Sequence, residues 1–226
     1  MNLASLQCAK CGMKDKICRS PTGSGPSFCP TLHLMGSVEK ANQCYMEPEI
    51  LKFAHAASVQ EGECYINRDR KPYVSHPIKP RVQETCEFAQ KMGYKKLGIA
   101  FCGGLHREAL SLNQILEAQG FEVISVICKV GSTPKEYIGI KDEEKVRIGE
   151  FEPMCSPIAQ ALIINEAETD FNILLGLCVG HDSLFLKYSK AYCTVLVPKD
   201  RVLGHNPCAA LYTTNSYYAR MLKKGF

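Results

Sequence analysis

From residue 82 onward the chain alternates short apolar runs with segments of helical period. Val82 to Met92 spaces its apolar positions as one face of a helix, and Lys96 to Phe101 (KLGIAF) is an apolar strand ended by Cys102. The Gly103-Gly104 turn leads into a helix over 105–118, closed by Gly120. Phe121 to Ile127 (FEVISVI) is a second strand, ended by Cys128. A partly charged stretch runs on to Met154, and a helix is expected from Ser156-Pro157, with serine as cap and proline in the first helical position. Phe171 to Leu177 (FNILLGL) is a third strand, ended by Cys178. A short helix over 182–188, a fourth strand over 194–197 and a last helix near Asn206-Pro207 complete the pattern. Apolar strands alternating with helices predict an α/β domain over residues 81–226, with a mostly parallel, Rossmann-like sheet flanked by helices.

Residues 1–80 read differently. Up to about residue 32 the chain has four cysteines, several Gly, Pro and Ser, and no aliphatic period. Such a segment cannot bury a core of its own and needs a staple, which a metal supplies. Residues 37–70 read as mostly helical and carry Cys44 and Cys64; PYVSHPIKPR is a proline-broken connector. The expected division is therefore a cysteine-rich metal-binding segment plus helical region over 1–80, followed by the α/β domain.

Composition sharpens the chemistry. The 226 residues hold 13 cysteines, an odd number that cannot all pair within the chain. A chain this long can bury a real core without disulfides. Its first residues have neither a basic start nor a long apolar run, and no segment has the roughly 18 consecutive apolar residues of a membrane helix. A cytoplasmic setting is expected, with no membrane partner, where reduced thiols in this density serve metal binding or redox chemistry. The net charge of +4 is spread along the chain, so no nucleic-acid footprint is expected, and KDEEK at 141–145 reads as a solvated stretch.

Cys102, Cys128 and Cys178 each follow a strand, and Cys155 immediately precedes a helix that returns to the sheet. In a parallel sheet these points share the carboxyl edge, where open α/β folds bind ligands. Adjacent strands are roughly 4.8 Å apart, so neighbouring strand ends can share one centre. Helix N-termini on that edge favour the thiolate, the ligating form. His106, His181, His205 and Cys208 fall at helix starts on the same edge, whereas Cys193 opens the fourth strand and is expected in the core. A single free cysteine is more often a small buried hydrophobe; it is the repetition at equivalent points that signals a site. Gly103-Gly104 could cradle an anion but more often makes a tight turn. Near the amino terminus Cys8, Cys11, Cys18 and Cys29 have the spacing C-x2-C-x6-C-x10-C, which suits a tetrahedral ion or an iron–sulfur cluster, with His33 near enough to replace one ligand.

GIAFCGGL (98–105), EPMCSPIAQA (152–161), LLGLCVGHDSLF (174–185) and VLGHNPCAALY (202–212) resemble the blocks of a prokaryotic family of cysteine-rich, predicted metal-binding proteins of unknown function. The resemblance spans essentially the whole chain and brings no established reaction. It implies Cys8, Cys11, Cys18, Cys29, Cys102, Cys128, Cys155 and Cys178 as metal ligands; Cys208 departs from the pattern, which tolerates an aliphatic residue there.

Three functions fit these residues. One is an iron–sulfur protein with a cluster, 4Fe–4S in type, held by Cys102, Cys128, Cys155 and Cys178, and a second, four-cysteine metal site at Cys8, Cys11, Cys18 and Cys29. With four thiolate ligands it would serve a redox partner. With three it could bind a small-molecule substrate, and His181 and Asp182, just after Cys178, are the candidate proton carriers. The others are a zinc-binding structural or interaction module, and a metal or sulfur carrier without catalysis. Oligomeric state is not legible in the sequence.

Overall fold

The computed structural model describes residues 6–225. They form two compact units that divide between Gly62 and Glu63. In the first, a helical turn at Cys8–Lys10 precedes a bridge between Lys16 and Ser24, and three helices follow: α1 (Pro30–His33), α2 (Met35–Cys44) and α3 (Pro48–Glu63). Of this unit's described residues only Ala56 and Gln60 are buried, so residues 6–29 have no apolar core. The helical region ends at Glu63 rather than 70. Beyond it Ile78 N–H donates to Cys64 C=O (2.9 Å) and Ile66 N–H to His76 C=O (3.2 Å), and Asn67 takes a left-handed φ of 57° that no helix continues.

The second unit contains α4 (Arg81–Met92), β1 (Lys96–Phe101), α5 (His106–Ala118), β2 (Glu122–Ile127), α6 (Pro157–Glu166), β3 (Phe171–Leu175), α7 (His181–Tyr188), β4 (Tyr192–Val197) and α8 (Cys208–Tyr212). The strands make one parallel sheet in the order β2-β1-β3-β4. β1 and β3 are central, and both read as unbroken apolar runs because each is covered on two faces. The chain steps from β1 to β2 in one direction, then from β2 past β1 to β3 and β4 in the other. Right-handed crossovers therefore lay α5 on one face and α6 and α7 on the opposite one. On the latter face Ala100, Val126 and Leu174 pack with Ala161 and Ile164 of α6 and Phe185 of α7. The fully buried Gln160 amide donates to Phe101 C=O (3.2 Å) and Val126 C=O (2.7 Å), tying α6 to the ends of β1 and β2.

Three local expectations are corrected. β3 stops at Leu175, since Gly176 turns the backbone out at φ 71°. β4 starts at Tyr192, which makes Cys193 its second residue; that thiol is half-buried and bonds Ser189 Oγ at 3.2 Å and Ala191 C=O at 3.3 Å. KDEEK is not simply solvated, because the Lys145 ammonium is only 6% exposed and pairs with Glu136 and Asp142. Glu152 binds Lys135 at 2.8 Å and accepts from Val146 and Arg147 N–H, which orders the rest of that stretch. No helix among the described residues is long and apolar enough to cross a membrane.

Candidate metal centre

Strand order locates the site more closely than strand direction does. The connections after β1 and β3 leave in opposite senses, so the crevice between their carboxyl ends is where this topology receives ligands. Cys102 follows β1 and Cys178 lies three residues beyond β3, so cysteines flank the crevice on both sides. Cys102 N–H donates to Leu175 C=O at 3.0 Å and Cys128 N–H to Phe101 C=O at 2.8 Å, which extends the ladder to both thiol-bearing residues. Ser156 N–H donates to Cys128 C=O at 2.7 Å, anchoring Cys155 beside them.

The Cys128 thiol is the hub. It is hydrogen-bonded to Cys102, its Sγ lies 3.8 Å from Cys155 Sγ, and Gly103 N–H points at it from 3.4 Å. Its bonds to Cys102 and Cys155, together with burial, push the Cys128 thiol far up, so it keeps its proton. The bond to Cys128 is also the main reason Cys102 is pushed down to about 4, with Gly104 N–H and the Lys199 ammonium adding to it. Cys155 is pushed down to about 5 by the same neighbour and by the positive fields of Lys129 and His181. Two thiolates on a shared thiol are a soft donor set of the kind that takes zinc or an iron–sulfur cluster.

Geometry tests the fit further. Two thiolates on one tetrahedral ion at about 2.3 Å stand about 3.8 Å apart, the spacing found between Cys128 and Cys155. A cluster, whose ligands bind separate irons, needs those sulfurs to swing outward about their single χ1 bonds. Among the described residues no group of three or more His, Cys, Asp or Glu side chains is already arranged to hold a metal ion. The thiols point at one another, and rotation about χ1 must re-aim them to a common centre.

Cys178 is placed differently. Its Sγ accepts from Arg201 Nη2 at 3.0 Å, and the loop after β4 thus brings Lys199 to Cys102 and Arg201 to Cys178, one cation on each side of the crevice. His181 opens α7, with its N–H on Cys178 C=O at 2.9 Å. Its Nδ1 is buried without a hydrogen-bond partner, a state that costs about 1–3 kcal/mol unless something fills the gap. Asp182 is the second residue of α7, behind the Gly180 cap, and its carboxylate accepts from Ser183 N–H at 2.7 Å. His205 Nδ1 accepts from Asp200 N–H at 3.1 Å, His106 sits 6.1 Å ring to ring from Phe101, and Cys208 is exposed at the start of α8. Reading the sequence missed Lys129, Lys199 and Arg201; the signal available was their placement directly after strands β2 and β4.

In the amino-terminal unit Cys8, Cys11, Cys18 and Cys29 line one small cavity with Lys16, Pro26, Phe28 and Thr31. A turn from Cys11 N–H to Cys8 C=O (3.1 Å) sets the C-x2-C pair, and Ile17 N–H to Ser24 C=O (3.0 Å) holds the loop around Cys18. Gly23 permits that approach: a Cβ there would lie 2.4 Å from the Lys16 carbonyl carbon. His33 ends α1 and is not among the cavity residues.

The chain is 45% identical over 187 residues to an uncharacterized protein of Methanocaldococcus jannaschii, covering 83% of this chain and 88% of that one. It is also similar to the solved structure of Dph2 from Pyrococcus horikoshii, at 16% identity and a TM-score of 0.34 over 66% of this chain; it spans about a third (34%) of that chain's length. The family described as "Protein of unknown function (DUF1847)" matches residues 29–196, a span that includes Cys102, Cys128, Cys155 and Cys178 and leaves out Cys8, Cys11 and Cys18, and this cysteine-rich chain belongs to it.

Proposed function

We propose that this protein carries a functional metal centre on the carboxyl edge of its sheet and a structural one near its amino terminus. At the edge Cys102, Cys128 and Cys155 would hold an iron–sulfur cluster, beside the β3–α7 loop that carries Cys178 and His181. It acts in redox or cluster-based chemistry on a small molecule or redox partner bound in the β1/β3 crevice. The observation that carries this reading is the joining of three thiols, one from the β1–α5 connection and two from opposite ends of the β2–α6 connection, through Cys128. The α/β core is complete without a metal, since β1 and β3 are buried on both faces, so a metal at the edge has no folding task to perform. The amino-terminal cysteines have no core around them, and a metal bound there stabilises the fold directly.

When bound, the cluster supplies electron transfer or Lewis acidity. The chain's own residues supply the setting. Lys199, Arg201 and Lys129 offset the negative charge of the thiolates, and the Gly103 N–H donates to sulfur. The zinc reading has one observation in its favour, the 3.8 Å Cys128–Cys155 spacing.

Full-length protein purified without oxygen decides between them. It is expected to be brown, with iron and acid-labile sulfide, and Cys128→Ser is expected to remove the edge centre's share of both while the amino-terminal metal stays. A colourless protein with zinc in both places would establish the zinc module instead; a chain that binds neither ion would end the metal reading altogether.

A further inference from the structure

We infer that His181, through Nδ1, is the fourth protein ligand of the edge centre, and that Cys178 stands outside it, paired with Arg201. This rests on the three-thiol centre proposed above and names the ligand that completes it. α6 and α7 pack side by side and both begin at the carboxyl edge of the sheet. Cys155 lies two residues before the first residue of α6, and His181 is the first residue of α7, so the two side chains leave adjacent helix starts. The imidazole belongs to the immediate surroundings of the Cys155 thiol. Its Nδ1 is shut off from water and has no donor or acceptor opposite it. A buried ring nitrogen is normally satisfied, and a metal bound through its lone pair would satisfy this one.

Cys178 is engaged elsewhere. Its sulfur takes a charge-assisted bond from Arg201 at 3.0 Å, whereas Cys102 and Cys155 both bond Cys128. Cys178 thus has a charged partner of its own, apart from the three joined thiols. Loss of Arg201 should therefore free Cys178 without emptying the centre.

Cobalt(II) is the probe, titrated without oxygen into metal-free, full-length chain in which Cys8→Ser and Cys11→Ser silence the amino-terminal site. Removing even a residue that only orients a ligand weakens a metal site by about 10–100-fold, so His181→Ala is expected to lower cobalt affinity by at least about tenfold, and Cys178→Ser by less than about threefold. His181→Cys should recover affinity and add thiolate-to-cobalt absorption, which also decides the matter if the alanine variant folds poorly. In His181→Gly, added imidazole should restore binding. If Cys178→Ser loses cobalt while His181→Ala and His181→Cys bind like the parent with unchanged absorption, Cys178 is the ligand and the inference is overturned. If Cys128→Ser binds as tightly as the parent, the three-thiol centre itself falls, a separate outcome.

Discussion

Gly98→Ala is expected to destabilise the α/β unit by about 3 kcal/mol or more, the sum of overpacking and of a strained buried polar network. Gly98 is in the middle of β1, paired with Ile124 on one side and Asn172 on the other. A Cβ at this position would stand 2.2 Å from Asn172 Oδ1 and 2.8 Å from Ile164 Cγ2. Neither atom can withdraw. Asn172 is fully buried; its Oδ1 accepts from Thr169 Oγ1 at 2.7 Å and its Nδ2 donates to Ser189 Oγ at 2.9 Å, which itself donates to Ala191 C=O. Ile164 is fully buried in the core on the α6 face. The measurement is a denaturant midpoint that falls with an unchanged slope. Adding Asn172→Ala removes the clashing oxygen, so the double variant should lose less than the two single losses summed. A Gly98→Ala loss under about 1 kcal/mol would mean that β1 and β3 are not in this register.

The same two strands show why so much of the fold was legible. β1 and β3 are covered on both faces, and burial on two sides requires an apolar run that no surface element carries. The strand ends then located Cys102 and Cys128 from sequence alone, because parallel strands share one carboxyl edge whatever their order. Order itself was not legible. Only the sequence β2-β1-β3-β4 shows that the crevice opens between Cys102 and Cys178.

Side-chain partnerships were hidden for a different reason. Lys199 and Arg201 reach Cys102 and Cys178 over about a hundred and about twenty positions of chain, and no local period reports a contact of that kind. Lys145 looked like one more surface charge in an acidic run, yet two carboxylates fold around it. Asp182 has the residue type of a helix cap; Gly180 takes that place at φ 83°, and Asp182 lies inside the first turn. In each case the residue type was visible and its partner was not, since partners are set by tertiary closure.

Removing the metal proposed for the amino-terminal site is expected to unfold residues 6–29 and leave the α/β unit intact. No residue of that segment is buried, so apolar burial offers it almost nothing. Structural zinc in small metal-dependent domains contributes on the order of 10–16 kcal/mol, which there amounts to the whole folding free energy. Cys8, Cys11, Cys18 and Cys29 line one cavity, so in the proposed centre all four sulfurs would serve one metal, and Cys18→Ser should act almost as strongly as chelation. Amide hydrogen exchange reads this residue by residue. Ile17 N–H on Ser24 C=O, Ser24 N–H on Asp15 C=O and Cys29 N–H on Pro26 C=O should exchange at least about a hundredfold faster without metal, equivalent to about 2.8 kcal/mol. The amides of Ile99 and Ile173, inside β1 and β3, should keep their protection because their packing needs no ion. If the three amino-terminal amides stay protected after metal removal has been verified by elemental analysis, the four cysteines do not staple this segment. If the strand amides open with them, the α/β unit depends on that metal after all, and the division of labour between a structural and a functional centre is wrong.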